Sequence, residues 1–583
     1  MRFVLILLAA RICMGATYYV DFATGADTNN GTAKGTPWKH APKMQNCASN
    51  CNITPAAGDQ IIFKGGVTWD LTCFGWLVPG SGTINNYIYY GVDQTWYSGG
   101  SWTRPKFDAA YSITQPEANA GNNSVVQLLS TNYVTLDNIE ITGLMAKYSF
   151  GPALVGMYGG VFTLENMYLH GWDLISYSTT CSKSGTVISC TCSTSCTSNW
   201  ITSGATCSGG NRFCVVQSGF STAIYNTQRQ EYNLATIPSA TTYTYDCSPA
   251  PVSCSSGTVA SNTGTVTLAD DAHGGILGNN ATPTVINCIV ENSVLTGATY
   301  GHQNGVAVRG VGFISGTTVH DVSSNMLGVG GGVIHDNTMY NLSYTTSGDT
   351  HGNDGYDASY HFNGMYVNDN STVYNNLMYS MSLPTNYYLE PCDSGNNGTI
   401  TAFNNVAIQN SGNGASLFNL DAEGGTSVTG GACGTWNLYN NTMMVPDGSG
   451  LNVMIHTAHP GNLSNVTVIN SHAITIIGYP TGCGSVSGTC VETTYTLESA
   501  ATAANQGYVL GNFFAPTSGS NPTVGAGTNL TSLCTGAVAP LCSDKNGVPR
   551  PANGAWNTGA YYLPFALKSL GSANGLQSGN VLQ

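Results

Sequence analysis

Ionisable side chains are scarce in this chain of 583 residues. Only 8% of the residues are charged, against about 25% in typical soluble domains. No lysine occurs between Lys183 and Lys545, and the only arginines in that span are Arg212, Arg229 and Arg309. Binding to phosphate backbones requires clusters of Lys and Arg. Because such clusters are missing and the formal net charge is −14, we expect no nucleic-acid partner.

Good helix formers are also in short supply, since Lys, Glu and Arg are all rare here. Long amphipathic helices are therefore not expected. Disorder is not expected either, because 42% of the residues are hydrophobic and 10% are aromatic. With 72 glycines and many Asn, Ser and Thr residues, the composition favours short strands joined by tight turns.

Long apolar runs are absent beyond the N-terminus, where the pattern is typical of a secretory signal peptide. Arg2 is followed by an apolar stretch from Phe3 to Ala10 and by the small-residue site Met14-Gly15-Ala16. The stretch is too short to span a bilayer. We therefore predict a secreted, extracellular protein that does not insert into a membrane.

Cysteine is well represented, with 19 residues. Loss of Cys13 with the signal peptide leaves an even number, which fits disulfides in an oxidising compartment. Close pairs such as Cys47/Cys51, Cys483/Cys490 and Cys534/Cys542 are expected to be bridged. The spacing of Cys190, Cys192 and Cys196 resembles a zinc site, but no histidine lies nearby, so disulfides are expected there too.

An irregular internal repeat gives the strongest signal for the fold. Short β-rich runs such as NYVTL, GVFTL, TITAF and TWNLY end in a triplet. Its first residue is mostly hydrophobic, its second is Asn, Asp or Glu, and its third is Asn. The triplets are Leu136-Asp137-Asn138, Leu164-Glu165-Asn166, His335-Asp336-Asn337, Tyr374-Asn375-Asn376, Phe403-Asn404-Asn405 and Tyr439-Asn440-Asn441. Coils of unequal length that stack and bury a shared core have this pattern. Asparagines at the same bend of successive coils are expected to form a ladder.

Both ends of the chain resemble a known family. The opening TYYVDFATGADTNNGTAKGTPWKHA, followed by AAGDQIIFKGGVTW, and the closing NPTVGAGTNL and DKNGVPRPANGAWNTGAYY are similar to secreted proteins of the pectate-lyase-like superfamily. The resemblance implies an all-β fold, namely a single-stranded right-handed parallel β-helix of about ten coils with an N-terminal cap. It does not fix the activity, because this fold hosts lyases, hydrolases, epimerases, esterases and non-catalytic adhesins.

The repeat and its interruptions predict five segments. Residues 1–16 form the signal peptide, and residues 17–179 the cap and first coils. Residues 180–262, which hold eight cysteines, are predicted to be a small disulfide-rich β insertion. Residues 263–480 carry the central coils and the candidate site, and residues 481–583 the final coils and tail.

Histidine and aspartate are concentrated between His302 and Asp369. The repeat explains part of this cluster: Asp336 occupies the place of Asn375 and Asn404, and His335 that of Tyr374. His320 and Asp321 are interpreted in the same way. These four residues are therefore predicted to be structural.

The remaining residues of this cluster carry our candidate site. The motif H-x-N-G occurs at His302 to Gly305 and at His361 to Gly364, and between the two motifs lies the acidic loop SGDTHGNDGYDAS. Catalytic groups concentrate on loops held by rigid scaffolds. The predicted catalytic residues are Asp354, Asp357, His302, His361 and Arg309; the predicted substrate-binding residues are His351, Asn304 and Asn363; and Asp349 is the candidate metal ligand.

Three functions fit this set. A glycoside hydrolase would use Asp354 and Asp357 as acid and base. A polysaccharide lyase would use His302 or His361 as base, with Arg309 or a Ca²⁺ ion neutralising the substrate carboxylate. The alternative is a non-catalytic, adhesin-like β-helix that only binds carbohydrate. In each case the expected partner is a polysaccharide, and no cofactor is required, although a Ca²⁺ ion is compatible with the acidic loop.

Overall fold

The fold was analysed on a computed structural model. It describes residues 15–112, 124–129, 131–146, 153–174, 176–193, 214–222, 225, 234–247, 254–269, 273–278, 288–296, 306–322, 327–342, 363–381, 385–392, 397–409, 416–420, 433–445, 455–457, 463–474, 486 and 488–564. The chain divides into two compact units, Met1–Gly332 with Asn341–Met365, and Val333–Tyr340 with Tyr366–Gln583.

Each unit is built from coils of three short strands. Strands at the same place in successive coils lie side by side and form a face. The three faces are called the first, second and third, in the order in which the chain follows them within a coil. Strand residues alternate between core and exterior because side chains of a strand point to opposite sides in turn. In the strand Phe162–Glu165, for example, Phe162 and Leu164 are fully buried whereas Thr163 and Glu165 are partly exposed. The strands of each face pair in parallel with those of neighbouring coils, which confirms the predicted all-β parallel β-helix.

The first unit contributes the following strands. Its first face comprises Thr17–Val20, Gln60–Gly65, Ile88–Tyr97, Val134–Asp137, Phe162–Glu165, Cys288–Glu291 and Phe313–Ser315. Its second face comprises Thr68–Trp69, Lys106–Ser112, Glu140–Ala146, Tyr168–His170, Trp172–Leu174, Val294–Thr296 and Thr318–Val322. Its third face comprises Trp76–Leu77, Val126–Leu129, Val155–Tyr158, His273–Gly278, Val306–Arg309 and Leu327–Val329.

The second unit repeats this plan. Its first face holds Ser371–Tyr374, Thr399–Phe403 and Cys433–Tyr439, and its second face Leu377–Met381, Val406–Gln409 and Thr442–Met444. The long strands Leu463–Ile474 and Thr489–Glu498 run along both faces. Its third face holds Thr385–Glu390, Ser416–Leu420 and Ile455–Thr457. The boundary between the two units passes through three strands, Gly332–His335, Thr338–Leu342 and Asn363–Asn368.

The number of coils can be counted on the third face. The described part of the chain contains ten third-face strands, one for each coil. This count confirms the prediction of about ten coils. Regular helices are short, as the composition predicted: one α-helix, Ala500–Asn505, and 3₁₀ turns at Ser49–Cys51, Leu71–Cys73, Leu510–Asn512, Thr531–Leu533 and Gly536–Cys542 lie in the described residues.

A cap precedes the first full coil. Its strand Thr17–Val20 pairs with Gln60–Gly65, and the ring of Tyr18 stacks on the buried Trp38 at 4.6 Å. The buried carboxylate of Asp21 accepts a hydrogen bond from Lys64 Nζ at 2.7 Å, and this ion pair lowers the pKa of Asp21 against the opposing effect of burial. The cap covers the first sheet edge, which would otherwise be open to pairing with other chains.

The predicted β insertion is present as an antiparallel sheet. Its strands are Ser176–Ser184, Val187–Cys192, Cys214–Ser218, Leu234–Ser239, Thr242–Asp246 and Val259–Ala269. The sheet therefore begins before residue 180 and ends after residue 262, the bounds that the cysteine pattern predicted. Two disulfides, Cys181–Cys190 and Cys247–Cys254, hold its core.

Disulfides confirm most of the cysteine predictions that fall on described residues. Cys47–Cys51 and Cys534–Cys542 are bridged as expected, and Cys192 and Cys490 are disulfide-bonded as well. A bridge joining Cys392 to Cys433 was not anticipated. Cys73, in contrast, is a buried free thiol whose pKa is raised to about 12 by burial, so the even count did not mean that every cysteine is paired.

The bend between the first and second faces has a left-handed residue in each coil. In the second unit these residues are Asp336, Asn375, Asn404, Asn440 and Asn470, with φ between 50° and 65°. The next residue is a buried asparagine in four successive coils, and their side-chain amides bond at 2.9–3.2 Å in the order Asn337, Asn376, Asn405, Asn441. The predicted asparagine ladder is therefore confirmed.

The repeat triplets need one correction of register. In the first unit the left-handed residues are Asn138 and Asn166, the last members of their triplets, whereas in the second unit they are middle members such as Asp336. Asp137 and Glu165 therefore correspond to His335 and not to Asp336. The sequence could not show this shift because Asn and Asp both tolerate the left-handed conformation.

Two of the predicted structural residues lie where expected and two do not. His335 stacks on Tyr374 at 4.6 Å, and Tyr374 stacks on Phe403 at 4.9 Å, so His335 is part of an aromatic column. Asp321, however, lies near the end of the second-face strand Thr318–Val322 and not at the bend that follows the first face. There its carboxylate binds His320 Nδ1 at 2.6 Å and accepts from Asn341 Nδ2 at 2.6 Å.

Residues 527–562 of the second unit, here called the C-terminal clasp, pack across its bends. Trp556, Leu530 and Leu541 cover Phe403 and Tyr439. The bend asparagines donate to carbonyls of the clasp, Asn404 to Ser543 at 2.9 Å, Asn440 to Asn557 at 2.8 Å and Asn470 to Thr528 at 2.8 Å. The clasp thus satisfies polar groups that the coils leave at their corners.

No helix within the described ranges is long and apolar enough to cross a membrane.

Candidate functional site

The third face of the second unit carries an unusual set of polar side chains. In the strand Thr385–Glu390, Tyr387 and Leu389 are fully buried, and Tyr387 stacks on Phe418 of the next coil at 4.6 Å. The alternating residues Tyr388 and Glu390 lie on the other side of the strand. Tyr388 stacks on Tyr366 at 5.0 Å. This side of the face therefore combines paired aromatic rings with a carboxylate.

Glu390 is the central residue of this set. Its side chain is only 4% exposed, and its Oε2 accepts a hydrogen bond from the hydroxyl of Tyr366. Burying a carboxylate is costly unless polar partners compensate. A nearly buried glutamate in a chain with so few charged residues is therefore a candidate functional group.

A second carboxylate lies on the adjacent strand. Asp369 follows the strand Asn363–Asn368, and its backbone N–H donates to the carbonyl of Glu390 at 3.2 Å. Its side chain is 8% exposed, and its backbone is left-handed with φ of 50°. Two largely buried acids thus meet at the ends of neighbouring parallel strands, which lie about 4.8 Å apart.

Amide groups lie on the same strand. The fully buried Asn386 accepts a hydrogen bond from Gln409 Nε2 at 2.8 Å through its Oδ1. Its Nδ2 is buried and has no hydrogen-bond partner among the residues that the structure describes. Buried donors are nearly always paired, so this amide is a donor that a ligand oxygen would satisfy.

The backbone around Glu390 is firmly held. The disulfide Cys392–Cys433 begins two residues after Glu390, and the indole Nε1 of Trp436 donates to the carbonyl of Leu389 at 3.0 Å. Gly398 donates its N–H to the carbonyl of Pro391 at 3.2 Å. Functional side chains need this kind of support, because loose positioning weakens catalysis and binding alike.

The first unit carries a different group of acids, here called the acidic column: Asp137, Glu165 and Glu291. They are directly opposite one another on adjacent first-face strands. Burial raises the pKa of Glu165, and the charges of Asp137 and Glu291 raise it further. Asp137 is oriented by the Tyr89 hydroxyl at 2.6 Å and by Asn166 Nδ2 at 2.8 Å. These three acids are partly exposed and have no aromatic pair beside them comparable to Tyr366 and Tyr388.

Most residues that the sequence ranked first lie outside the described residues. They are His302, Asn304, Asp349, His351, Asp354, Asp357 and His361, so the structure neither brings them together nor separates them. Asn363 is described and is 2% exposed at the start of its strand.

Arg309 is exposed at the end of the third-face strand Val306–Arg309 of the first unit. Burial raises the pKa of the Tyr158 phenol, and the nearby positive charge of Arg309 partly opposes this increase. The resulting pKa of Tyr158 is about 12. A base positioned to act with Arg309 was predicted at His302 or His361, which are not described.

Sequence reasoning missed Glu390, Tyr366 and Asn386. The available signal was the run TNYYLE, an alternating strand that ends in one of few acids. What the run could not show is that Glu390 is buried beside Tyr366, which lies three strands earlier in the chain, on the preceding coil. Asp369 was noted only as part of the acidic region.

No group of three or more His, Cys, Asp or Glu side chains suited to a metal ion occurs within the described ranges. The candidate ligand Asp349 lies outside them. A Ca²⁺ ion at the acidic loop therefore stays a prediction.

The strands and their register define the class: this is a parallel β-helix protein with a disulfide-held β insertion. It is similar in fold to the lacto-N-biosidase GH136 of Eubacterium ramulus, with 11% identity, a TM-score of 0.40 and coverage of 83% of this chain and 68% of that one. It also matches the Gp54 tailspike of Acinetobacter baumannii bacteriophage AP22, with 9% identity, a TM-score of 0.14 and coverage of 65% and 71%. No family model and no curated protein sequence matches the chain.

Proposed function

We propose that this protein is carbohydrate-active and hydrolyses a polysaccharide with Glu390 and Asp369. The observation that carries the proposal is the pair of largely buried carboxylates on adjacent third-face strands, one of them bonded to a tyrosine hydroxyl. Glycosidases use two carboxyl groups that flank the bond to be cleaved. The aromatic pair Tyr366 and Tyr388 and the amide of Asn386 add groups that suit a sugar ring and its hydroxyls.

The roles follow from the hydrogen bonds. Glu390 accepts a bond from Tyr366, which orients it as the nucleophile that attacks the anomeric carbon. Asp369 would donate its proton to the glycosidic oxygen as the leaving group departs, and would then accept a proton from the water that hydrolyses the glycosyl-enzyme. This double displacement would retain the anomeric configuration, as in enzymes whose two carboxyl groups lie roughly 5–5.5 Å apart.

The test is a pair of isosteric substitutions. Glu390→Gln and Asp369→Asn should each lower the rate by about 10²–10⁴-fold, measured as new reducing ends on a panel of polysaccharides. The matched control is Glu165→Gln in the acidic column, which should leave the rate within a factor of about two. Circular dichroism and thermal melting must show that all three variants stay folded.

Three other results would redirect the assignment. Full activity in Glu390→Gln, with loss in Asp354→Asn or His302→Ala, would return the site to the residues that the sequence ranked first. Products that absorb as unsaturated uronates would show a lyase. Binding without any cleavage by the wild-type protein would support the non-catalytic, adhesin-like function.

A further inference from the structure

Positive charge is missing from the part of the chain that builds the Glu390 site. The sequence contains no lysine and no arginine between Arg309 and Lys545, a span that includes every strand of the second unit. The same span contains Asp369, Glu390 and other acids. This absence is a property of the full sequence and therefore holds for every loop of that span.

The next cations along the chain are already engaged. Lys545 donates to the carbonyl of Asn375 and lies near Asp336 and Asp544, and burial lowers its pKa to about 8. Arg550 is 5% exposed and donates to Asn404 Oδ1 at 2.9 Å and to the Leu541 carbonyl at 2.9 Å. Both cations belong to the C-terminal clasp, where they serve the bends of the coils.

We propose that the Glu390 site takes an uncharged polysaccharide and excludes polyuronates and sulfated glycans. The inference rests on the proposed function, because it assumes that the substrate lies against Glu390 and Asp369. An anionic sugar there would meet the Glu390 carboxylate, and the Asp369 carboxylate whenever that group is ionised, while the span between Arg309 and Lys545 supplies no Lys or Arg to neutralise them. Two like charges about 5 Å apart repel by several kcal/mol even at an effective dielectric constant near 20, which lowers affinity by well over tenfold.

The polar groups beside the two acids suit an uncharged sugar. The Nδ2 of Asn386 can donate to a hydroxyl or carbonyl oxygen, and the tyrosine pair offers apolar ring faces. Neither group discriminates in favour of a negative charge. The site therefore selects against anions through its carboxylates and binds neutral sugars through hydrogen bonding and stacking.

The experiment compares one backbone in two charge states. Binding of full-length Asp369→Asn, which keeps the Glu390 carboxylate but should cleave slowly, is measured by affinity electrophoresis or calorimetry at pH 7.5, with fully methyl-esterified polygalacturonan and with the same polymer after de-esterification. A set of neutral glucans, galactans, mannans and xylans is included. Each measurement is repeated with EDTA and with Ca²⁺, because a divalent cation would mask the substrate charge.

We expect at least one uncharged polymer to bind at least about tenfold more tightly than de-esterified polygalacturonan. The double variant Glu390→Gln/Asp369→Asn should narrow that ratio, because it removes the remaining charge. Tighter binding of the charged polymer in EDTA would overturn the inference, as would Ca²⁺-dependent binding of the charged polymer or failure to bind any uncharged glycan.

The two proposals fail in different ways. A protein that prefers uncharged glycans but cleaves none would overturn the hydrolase and leave the substrate class intact. A protein that cleaves polyuronates, with the rate lost in Glu390→Gln, would overturn the substrate class and leave the site intact.

Discussion

The same position of the coil is used differently in the two units. The last first-face residue before the bend is acidic in three coils of the first unit, at Asp137, Glu165 and Glu291, whereas in the second unit it is His335, Tyr374, Phe403 and Tyr439. His335, Tyr374 and Phe403 form a stacked column, and Phe403 and Tyr439 lie beneath the C-terminal clasp. The first set faces outward as three carboxylates. A single backbone plan thus supports either a buried apolar seam or a line of like charges.

The residue that follows the left-handed position differs as well. In the second unit it is a buried asparagine whose amide bonds to the next coil. In the first unit the corresponding residues include Ser293 and Thr317. Their hydroxyls accept hydrogen bonds from backbone N–H groups at 3.1 and 3.4 Å. An amide offers two donors and an acceptor oxygen in a fixed plane, whereas a hydroxyl accepts but offers only one donor, on a bond that rotates. We infer that the ladder makes the coils of the second unit more resistant to local opening.

The largest expected effect is on the ladder. Asn405→Ala would remove the bonds that Asn405 Oδ1 accepts from the backbone N–H and the Nδ2 of Asn376, and the bond that its Nδ2 donates to Asn441 Oδ1. Each buried group left unpaired costs about 1–3 kcal/mol. We expect the free energy of opening of these coils to fall by about 3 kcal/mol, measured by hydrogen exchange of the strands Thr399–Phe403 and Cys433–Tyr439. Ser293→Ala, the matched change in the first unit, should cost about 1 kcal/mol. Equal effects would refute the difference between the two bends.

A smaller effect is expected at the buried Lys545. Its pKa is lowered to about 8, chiefly by burial. Between pH 8 and the ordinary lysine value of about 10.4, the unfolded chain binds more protons than the folded one, so the stability of the second unit should rise with pH in this window. In Lys545→Met the increase in the free energy of unfolding between these two pH values should be smaller than in the wild type by about 2 kcal/mol. The measurement is the difference between the denaturant midpoints of variant and wild type at each pH. An unchanged pH profile would show that the ammonium group is not desolvated.

The smallest effect is expected in the acidic column. The pKa of Glu165 is raised in the folded state, so the folded protein loses stability as the pH rises through the range between the unfolded and folded values. Glu165→Gln should therefore stabilise the first unit near pH 7 by less than about 1 kcal/mol, because solvent screens the charges. At pH 3 the variant and the wild type should melt together. A destabilised variant at pH 7 would show that the three acids are held by attraction to a partner.

Sequence reasoning found the fold more readily than the site. The triplets around Asn375, Asn404 and Asn440 predicted both the coils and the ladder, because a repeated bend leaves a repeated local pattern. The site gives no such pattern. Glu390 is singled out by its burial, by the Tyr366 hydroxyl and by Asp369 on the adjacent strand, and all three depend on which coils are neighbours.

Some features were fixed by composition and local pattern alone. The scarcity of charge, the strand periodicity and the Asn-rich bends determine an all-β chain of short parallel strands, because each depends on residues close together in the sequence. The absence of Lys and Arg between Arg309 and Lys545 likewise needs no structure to be read.

Only the tertiary structure decided which polar residues are structural. Asp137 and Asp336 have similar local sequences, yet one is an exterior strand residue and the other a left-handed bend residue. A shift of one residue exchanges the two roles, because successive side chains of a strand point to opposite sides. Register is set by packing across coils, so the sequence alone could not choose between them.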